Sequence, residues 1–467
     1  MIAGLKPYAE YRDSGLPWLP KIPAHWQTMR NGSLFGQRSE TGYSDLPILE
    51  VSLKTGVRVR AFGSEGRKQV MSDLAKYKRA AKGDLAYNTM RMWQGAVGVC
   101  PVDGLVSPAY VVASPRAGGD SAYFAAMFRT SAYLAEIDSA SRGIVKDRNR
   151  LYWEQFKQMR SPCPPPAEQG AIVRFLVWAN GRLERAIRAK RKVNALLTEQ
   201  RRVIVDRGVT GSQLQDGHLY RTGDRWFPEL PKGWNAVSLR RVINSAIDGP
   251  HFSPTYSDSG IPFLSSRNIK ADRWSLDDVK FISETDYREF SRRVEPKVGD
   301  VLYTKGGTTG VARAVDLSFP FQVWVHVAVL NVKQELIDPT YLATCLNSPR
   351  CYEQAQLYTR GATNQDLGLG RMKDIVLPVP DQVATQRSVV ARLNASLAPL
   401  DADAEQTRRQ IDLLREFRIR LTADVATGQL DVRAAAERLP DVATDTHATG
   451  PDDEVGEAEL DDEEAPA

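Results

Sequence analysis

Two long stretches of the sequence repeat apolar residues at alternating steps of four and three. The first runs from Ile172 to Ile204 and the second from Val389 to Leu421. Residues at this spacing lie on one face of an α-helix, so the pattern predicts two long helices that pair lengthwise. Gly211 and Gly428 are typical residues for a helix end, and Pro399 predicts a kink that divides the second helix. The predicted core leucines of the pair are Leu176, Leu183, Leu197, Leu393, Leu400 and Leu414.

Short runs rich in β-branched and aromatic residues precede each helical stretch. The first half contains "LPILEVSL" and "VSPAYVVAS", and the second contains "IPFLSSRNI" and "WVHVAVLNV". "GDLAYN" and "GDVLYT" each place a turn dipeptide before an extended run. These runs predict strands. Each half is therefore predicted to be a mixed α/β domain followed by a long helix.

The two halves repeat one another. The phrase W-x-P-x-x-P-x-x-W occurs at residues 18–26 and again at 226–234, 208 residues later. The segments beginning "GDLAYN" and "GDVLYT" are 216 residues apart, and residues 169–211 align without a gap on 386–428 at an offset of 217. A nearly constant offset across separate segments indicates a tandem duplication. We expect the tryptophans of the repeated phrase to be packing anchors, because turns rich in Trp and Pro need apolar support.

Charge is distributed unevenly along the chain. The last seventeen residues, "PDDEVGEAELDDEEAPA", contain nine acidic and no basic residues. The preceding residues 1–450 contain 62 basic and 48 acidic residues, a net charge of +14. A body this basic suggests a polyanionic partner. The acidic tail has too few apolar residues to pack and is predicted to be disordered. Masking of the basic surface and improved solubility are both open as its role.

The usual signatures of catalysis and metal binding are missing from the sequence. "KGGTTG" lacks the Lys-Ser/Thr of a phosphate-binding loop, and its glycines favour a turn. No amino-methyltransferase motif of the N-P-P-F type occurs, and Asp45, Glu50 and Lys54 have the wrong spacing for a nuclease. The five histidines show no paired spacing, and the four cysteines are scattered. We therefore predict no metal site and no catalytic site, in a protein of a reducing cytoplasm. The N-terminus has no apolar signal-peptide core, and no run is long enough to span a membrane.

Several passages together resemble the DNA-specificity subunit of type I restriction-modification systems. They include "DSGLPWLPKIPAHW", "YNTMRMWQGAVGV", "SRGIVKDRNRLYWEQFKQMRSPCPPPAEQGAIVRFL" and "LLTEQRRVIVDRGVTG" in the first half. Looser versions follow in the second half, such as "VGDVLYTKGGTTG" and "TRGATNQDLGLGRMKDIVLPVP". The resemblance covers roughly residues 8–435.

The resemblance implies an α/β fold with mixed α+β target-recognition domains joined by long helices. It also implies a pseudo-twofold tandem duplication whose helices form an antiparallel coiled coil. The expected segments are target-recognition domain 1 (8–166), conserved helical region 1 (167–211), target-recognition domain 2 (212–383), conserved helical region 2 (384–435) and the acidic tail (436–467). Such a subunit is not itself an enzyme. It reads a bipartite target in double-stranded DNA and directs adenine methylation and restriction by its partners.

The implied partners are two methyltransferase subunits, which bring S-adenosylmethionine, and motor-nuclease subunits, which bring ATP hydrolysis with Mg²⁺. The candidate DNA contacts follow equivalent strands or lie in matching loops, and their side chains suit base edges or phosphate. They are Arg91, Gln94, Arg142, Lys146, Arg148, Arg267, Asn268, Lys305, Arg360, Asn364 and Gln365. A stand-alone sequence-specific or architectural DNA-binding protein is the alternative, and a self-sufficient endonuclease is a weaker one.

Overall fold

The computed structural model describes residues 5–60, 74–141, 149–212, 219–252, 254–361 and 365–440. The chain divides into two compact units. Unit 1 comprises Met1–Ala189 together with Ile411–Ala467, and unit 2 comprises Lys190–Gln410. Each long helix therefore contributes one part to each unit.

Unit 1 is built from short strands and short helices that precede the first long helix. Its strands are β1 (Tyr11–Leu16), β2 (Leu19–Pro23), β3 (Gln27–Arg30), β4 (Phe35–Arg38), β5 (Leu49–Ser52), β6 (Gly56–Val59), β7 (Lys78–Ala80), β8 (Leu85–Asn88), β9 (Val97–Val99), β10 (Gly104–Val106), β11 (Tyr110–Pro115) and β12 (Arg160–Cys163). Its short helices are α1 (Asn31–Leu34), α2 (Ser121–Phe128), α3 (Ser131–Ala140) and α4 (Trp153–Phe156). The long helix α5 (Pro166–Val209) follows.

Unit 2 has the same kinds of elements in a similar order. Its strands are β13 (Leu219–Arg221), β14 (Glu229–Pro231), β15 (Trp234–Ser238), β16 (Ile243–Asp248), β17 (Ile261–Leu264), β18 (Lys280–Ile282), β19 (Val301–Thr304), β20 (Ala312–Ala314), β21 (Gln322–Val323), β22 (Val327–Val332) and β23 (Val376–Pro380). Its short helices are α6 (Leu239–Val242), α7 (Glu284–Ser291), α8 (Pro339–Leu346), α9 (Pro349–Tyr358) and α10 (Leu369–Met372). The second long helix α11 (Val383–Ala426) follows, and the short α12 (Arg433–Glu437), which belongs to unit 1, is the last helix of the described part. Of the predicted acidic tail, residues 441–467 lie outside the described part.

The sheets confirm the duplication predicted from the sequence. Unit 1 contains an antiparallel sheet in the order β4-β11-β8-β9, and unit 2 contains one in the order β16-β22-β19-β20. A two-stranded pair, β3-β12 or β15-β23, accompanies each sheet. The runs beginning "GDLAYN" and "GDVLYT" form β8 and β19, one strand from the edge of the equivalent sheets.

A buried glutamine makes the same three hydrogen bonds in both units. The Gln169 amide donates to the carbonyls of Gly118 and Pro164, at 2.9 and 2.8 Å, and accepts from the Asp120 amide at 2.9 Å. Its repeat equivalent is Gln386, whose amide donates to the carbonyls of Leu336 and Pro380, both at 2.9 Å, and accepts from Asp338 at 2.7 Å. Both glutamines are fully buried. Each one ties the start of its long helix to the loops that flank the sheet.

The two long helices run antiparallel within each unit. In unit 1, an ion pair of 2.9 Å joins Glu184 of α5 to Arg418 of α11. In unit 2, an ion pair of 3.1 Å joins Arg201 of α5 to Asp401 of α11. The two pairs are equivalent under the 217-residue repeat, because Glu184 corresponds to Asp401 and Arg201 corresponds to Arg418. In both pairs an earlier residue of one helix meets a later residue of the other, which is the antiparallel arrangement.

The leucines predicted for this helix pair occupy its buried side to different degrees. Leu176 is buried with Leu421 in unit 1, and Leu393 is buried with Val209 in unit 2. Leu183 and Leu400 pack against the same cores, and Leu197 and Leu414 are half-buried.

The apolar pattern of the two helical stretches also includes Val193 and Phe417, and its prediction of burial is wrong at both positions. Val193 is 45% exposed and Phe417 is 43% exposed, whereas Ile187 is buried. A straight α-helix turns once every 3.6 residues, so its buried face drifts away from a strict 3.5-residue pattern.

The predicted division of the second helix at Pro399 is also wrong, because α11 is continuous through this residue. Pro399 lies on the exposed face of the helix. The backbone carbonyl that loses its hydrogen-bond donor can be hydrated there.

The repeated Trp-Pro phrases hold the ends of the long helices. Gly428, just beyond α11, has φ +76°, and a Cβ there would lie 2.6 Å from Pro23 and 2.9 Å from Trp26. Gly211, just beyond α5, has φ +68° and makes the same approach to Pro231 and Trp234. Each helix therefore ends on the Trp-Pro phrase of the unit in which it ends. The buried rings of Trp26 and Trp234 confirm the role of packing anchors.

One contact of unit 2 is replaced by a groove in unit 1. Arg350 binds the Asp206 carboxylate through two nitrogens, at 3.0 and 3.3 Å, and donates to the Trp226 carbonyl. The equivalent residues of unit 1 are Ala132 and Ala423. They line an open, mainly apolar groove of about 370 Å³. The groove occupies the place of the missing ion pair.

No helix in the described part of the chain is long and apolar enough to cross a membrane.

Candidate nucleic-acid interface

Three loops of unit 2 meet at the end of the central strand β19. The loop 304–310 follows β19, and its Gly306 forms a β-bridge to Asp366, in the loop segment 365–367 that precedes α10. The amide of Leu367 donates to the Lys305 carbonyl at 2.8 Å. A Cβ on Gly307 would lie 3.2 Å from the Ser266 hydroxyl, so the turn after β17 contacts the same loop. This cluster of loops, the loop face of unit 2, brings together the second-half candidates that the structure describes.

Lys305 lies inside the loop face. Its side chain is 8% exposed, and its ammonium lies 2.9 Å from Asp366 Oδ1 and 3.4 Å from Asp248 Oδ2. The same nitrogen donates to the Val325 carbonyl at 3.4 Å. Lys305 is therefore neutralised by two carboxylates of its own chain, and its ammonium is not presented to solvent.

Asp248 is the buried acid of this cluster. It receives a hydrogen bond of 2.5 Å from Arg293, and His251 lies 3.4 Å away. Burial by itself raises the pKa of Asp248, but the hydrogen bond from Arg293 and the charge of Lys305 outweigh it. The pKa of Asp248 therefore lies below its usual value, and the carboxylate is ionised at neutral pH.

Arg267 and Asn268 are neighbours in the turn after β17 but have different surroundings. Asn268 is 4% exposed, and its amide closes the turn by accepting from Ser265 and donating to the Ser275 carbonyl. Arg267 is exposed and makes no ion pair within the described part of the chain. In this structure Asn268 shapes the turn, and Arg267 extends from it.

The remaining second-half candidates, Arg360, Asn364 and Gln365, lie between α9 and α10 in the sequence. Arg360 is exposed, and its backbone pairs with Asp366 through two hydrogen bonds of 3.0 and 2.8 Å. Gln365 is exposed beside it. The prediction for Asn364 falls outside the described residues.

Unit 1 has an equivalent loop arrangement at the end of β8. Arg91 and Gln94 are exposed in the turn that follows this strand. The amide of Leu151 donates to the Thr89 carbonyl at 2.9 Å, as Leu367 does to Lys305 in unit 2. This is the loop face of unit 1. The predictions for Arg142, Lys146 and Arg148 lie outside the described residues.

Sequence reasoning missed four charged residues of these faces. Asp248 and Arg293 come from segments far from the "KGGTTG" loop, so no local pattern marks them. Arg150 and Asp366 precede the equivalent leucines Leu151 and Leu367. Extending the 216-residue offset from "GDLAYN" to these leucines would have identified them.

The residues with a loose nuclease order do not form a carboxylate cluster in the described structure. Glu50 is paired with Arg58 at 2.5 Å across the β5–β6 hairpin. No group of three His, Cys, Asp or Glu side chains within the described ranges is arranged to hold a metal ion.

A solved structure shares the fold of this chain, although sequence comparisons find no match. No protein-family model matches the chain. No curated protein matches it either. Among solved structures, a chain from work on complex assembly and conformational transition of the type I R-M system aligns with a TM-score of 0.58 and 16% identity, over 87% of this chain and 99% of that one.

Two further structures align over most of their length with lower scores. One is the HsdS subunit from Thermoanaerobacter tengcongensis, with a TM-score of 0.43, 16% identity and coverage of 87% of this chain and 96% of that one. The other is a type I restriction-modification S subunit from M. genitalium, with a TM-score of 0.35, 13% identity and coverage of 90% and 98%. The TM-score of 0.58 over 87% of this chain and 99% of the other shows that this protein shares the fold of that chain from the type I R-M system.

Proposed function

We propose that this chain is the DNA-specificity subunit of a type I restriction-modification complex. Its two units each read one short segment of a bipartite DNA target. The observation that carries the proposal is the duplicated architecture, in which the same sheet order and the same helix-end contacts occur twice in one chain. A duplicated reader with diverged loops suits an asymmetric target, because each loop face can recognise different bases.

The charge of the chain favours DNA as the ligand. Residues 1–450 have a net charge of +14. Cationic side chains that neutralise phosphates displace counterions, which supports binding in a salt-dependent way. Arg91 and Arg267 are exposed on the two loop faces, where a guanidinium can bond a guanine edge or a phosphate.

The chemistry in this proposal belongs to partner subunits. Two methyltransferase subunits supply S-adenosylmethionine and transfer the methyl group to adenine. Motor-nuclease subunits supply ATP hydrolysis with Mg²⁺ and cut the DNA. The role of this chain is to bind DNA and to position those subunits on it.

The test is co-expression of the full chain with its candidate methyltransferase subunit, followed by purification and methylation of plasmid DNA with S-adenosylmethionine. We expect a stable complex and methylated adenines at one split sequence, with two short parts and a fixed gap. Methyltransferase alone is the control and should leave that sequence unmodified. A folded chain that recruits no methyltransferase and directs no methylation would contradict the proposal in favour of a stand-alone DNA-binding protein.

A pair of variants tests the loop face of unit 2 by measuring the affinity of the same complex for the mapped DNA target. Arg267→Ala should weaken DNA binding by about tenfold, since one good contact to a base contributes roughly 1–3 kcal/mol. Arg221→Ala is the matched control, because Arg221 is also exposed in unit 2 but lies on β13. Equal effects of the two substitutions on affinity would argue against base reading by this face.

A further inference from the structure

One position of the loop faces has opposite charges in the two units. Leu151 and Leu367 make the same backbone hydrogen bond to the residue that follows the central strand, at 2.9 and 2.8 Å. The residues immediately before them, Arg150 and Asp366, are therefore structurally equivalent and 216 residues apart. One unit presents a guanidinium at this position and the other presents a carboxylate.

The backbone of Asp366 is held firmly in place. Its amide donates to the Arg360 carbonyl at 2.8 Å, and its carbonyl accepts from the Arg360 amide at 3.0 Å and from Arg371 Nη2 at 2.9 Å. A side chain on a fixed backbone starts from a defined position, so less conformational freedom is lost when it binds a ligand. The rigidity suits a group that must meet one specific partner.

The carboxylate of Asp366 is accessible although its charge is compensated. Its side chain is 43% exposed, and the buried ammonium of Lys305 lies 2.9 Å from Oδ1. An uncompensated carboxylate near DNA would be repelled by the phosphates. Lys305 reduces that repulsion from inside the protein and leaves acceptor sites of the carboxylate facing solvent.

Arg150 has the complementary chemistry. Its side chain is exposed and makes no ion pair within the described part of the chain. A guanidinium has five N–H donors and no acceptor, whereas an ionised carboxylate only accepts. In the major groove guanine presents two adjacent acceptors, O6 and N7, and cytosine presents the N4 donor. Adenine places the N7 acceptor beside its N6 donor, so it fits a carboxylate less well than cytosine does.

We propose that Arg150 and Asp366 are specificity-determining residues of the two readers. Arg150 recognises a guanine in the DNA segment bound by unit 1, and Asp366 recognises a cytosine in the segment bound by unit 2. Lys305 acts as a positioning residue that fixes and neutralises Asp366. This inference rests on the proposed specificity function and adds to it which base type each unit selects at an equivalent position.

The test is to replace each residue by the amide that prefers adenine. Asn and Gln make paired hydrogen bonds with adenine N6 and N7. The full complex of this chain with its methyltransferase is prepared with the wild-type chain, with Asp366→Asn and with Arg150→Gln. Methylation rates are then measured on duplexes that hold each of the four base pairs at every position of the mapped target.

We expect each variant to change the base preference at one position of one DNA segment only. Asp366→Asn should shift one position from cytosine toward adenine, and Arg150→Gln should shift one position of the other segment from guanine toward adenine. The ratio of rates for the old and new base should change by at least about tenfold, as for the exchange of one paired base contact. The unchanged segment serves as an internal control that the variant is folded and assembled.

Glu335→Gln is the matched control, because Glu335 is exposed in the turn after β22 and makes no ion pair within the described part of unit 2. It should leave both segments unchanged. Unaltered base preference in Asp366→Asn and Arg150→Gln, or an equal loss of rate with all four base pairs, would overturn the assignment. A wild-type complex that methylates no split sequence would instead refute the proposed function.

Discussion

The replacement of Gln386 by methionine is a direct test of how the repeat holds each sheet to its long helix. Gln386 is fully buried and makes three hydrogen bonds, two to the carbonyls of Leu336 and Pro380 and one from the amide of Asp338. Methionine has a similar length but neither donates nor accepts comparably. The substitution therefore leaves two backbone carbonyls and one backbone amide unpaired inside unit 2.

The expected loss of stability follows from those three groups. An unsatisfied buried polar group costs about 1–3 kcal/mol, so the substitution should lower the free energy of unfolding of unit 2 by roughly 3–5 kcal/mol. Asp338 also caps α8, because its side chain accepts from the amides of Thr340 and Tyr341. Loss of the hydrogen bond from the Asp338 amide to Gln386 should therefore also weaken the cap at the start of α8.

The assay is urea unfolding, monitored by circular dichroism and by tryptophan fluorescence. Because the chain has two units, the midpoint of each transition is compared and no single free energy is fitted to the whole chain. Gln169→Met should affect unit 1 in the same way. Gln382→Met is the control, since Gln382 is exposed one turn earlier. If Gln386→Met shifted the midpoint no further than Gln382→Met does, the buried glutamine would not be the tie that its geometry indicates.

Three further predictions test other parts of the chain. Gly211→Ala should destabilise unit 2 by about 1–3 kcal/mol in urea unfolding, because φ is +68° and a Cβ would lie 2.8 Å from Pro231. A variant as stable as the wild type would argue against a close contact at this helix end. Ala132→Arg combined with Ala423→Asp should introduce into unit 1 the ion pair found in unit 2 and raise the stability of unit 1 by about 1 kcal/mol. Ala423→Asp alone should not raise the stability of unit 1. Equal urea midpoints for the single and double variants would count against the structural equivalence of these positions with Arg350 and Asp206. The lowered pKa of Asp248 makes its ion pairs stabilising above the usual Asp value of 3.8, and this stability is lost as the pH falls below that value. Urea midpoints measured between neutral and acidic pH should therefore converge for the wild type and Asp248→Asn at low pH, and a constant difference would contradict the linkage.

The architecture followed largely from local sequence patterns. Strands β8 and β19 lie where the turn dipeptides of "GDLAYN" and "GDVLYT" predicted them. The helices α5 and α11 lie where the apolar spacing predicted them. The constant offset predicted the duplication, and the matching sheet orders confirm it. The break at Pro399 was wrong because the sequence does not indicate that this face of the helix is exposed.

The candidate interface was less accessible to sequence reasoning. Arg91 and Arg267 are candidate DNA contacts because of their side-chain chemistry, and the structure places both on loop faces, where they are exposed. Lys305 is a candidate for the same reason, yet its ammonium is buried between two carboxylates. Exposure depends on which segments pack around a residue, and the two acids come from positions distant in the sequence.

What the sequence by itself determined is the set of helices and strands and their repetition, because periodicity and turn residues act over a few neighbouring positions. The tertiary structure decided which charges are compensated and which remain available. The compensation of Lys305 by Asp248 and Asp366 requires the end of strand β16 and two separate loops to meet at the end of β19. Arg150 and Asp366 are recognised as equivalent residues of opposite charge only from the tertiary structure, because matching backbone hydrogen bonds place them at the same point of two similar folds. Ion pairing falls steeply with distance, so it is fixed by contacts between distant segments and not by order along the chain.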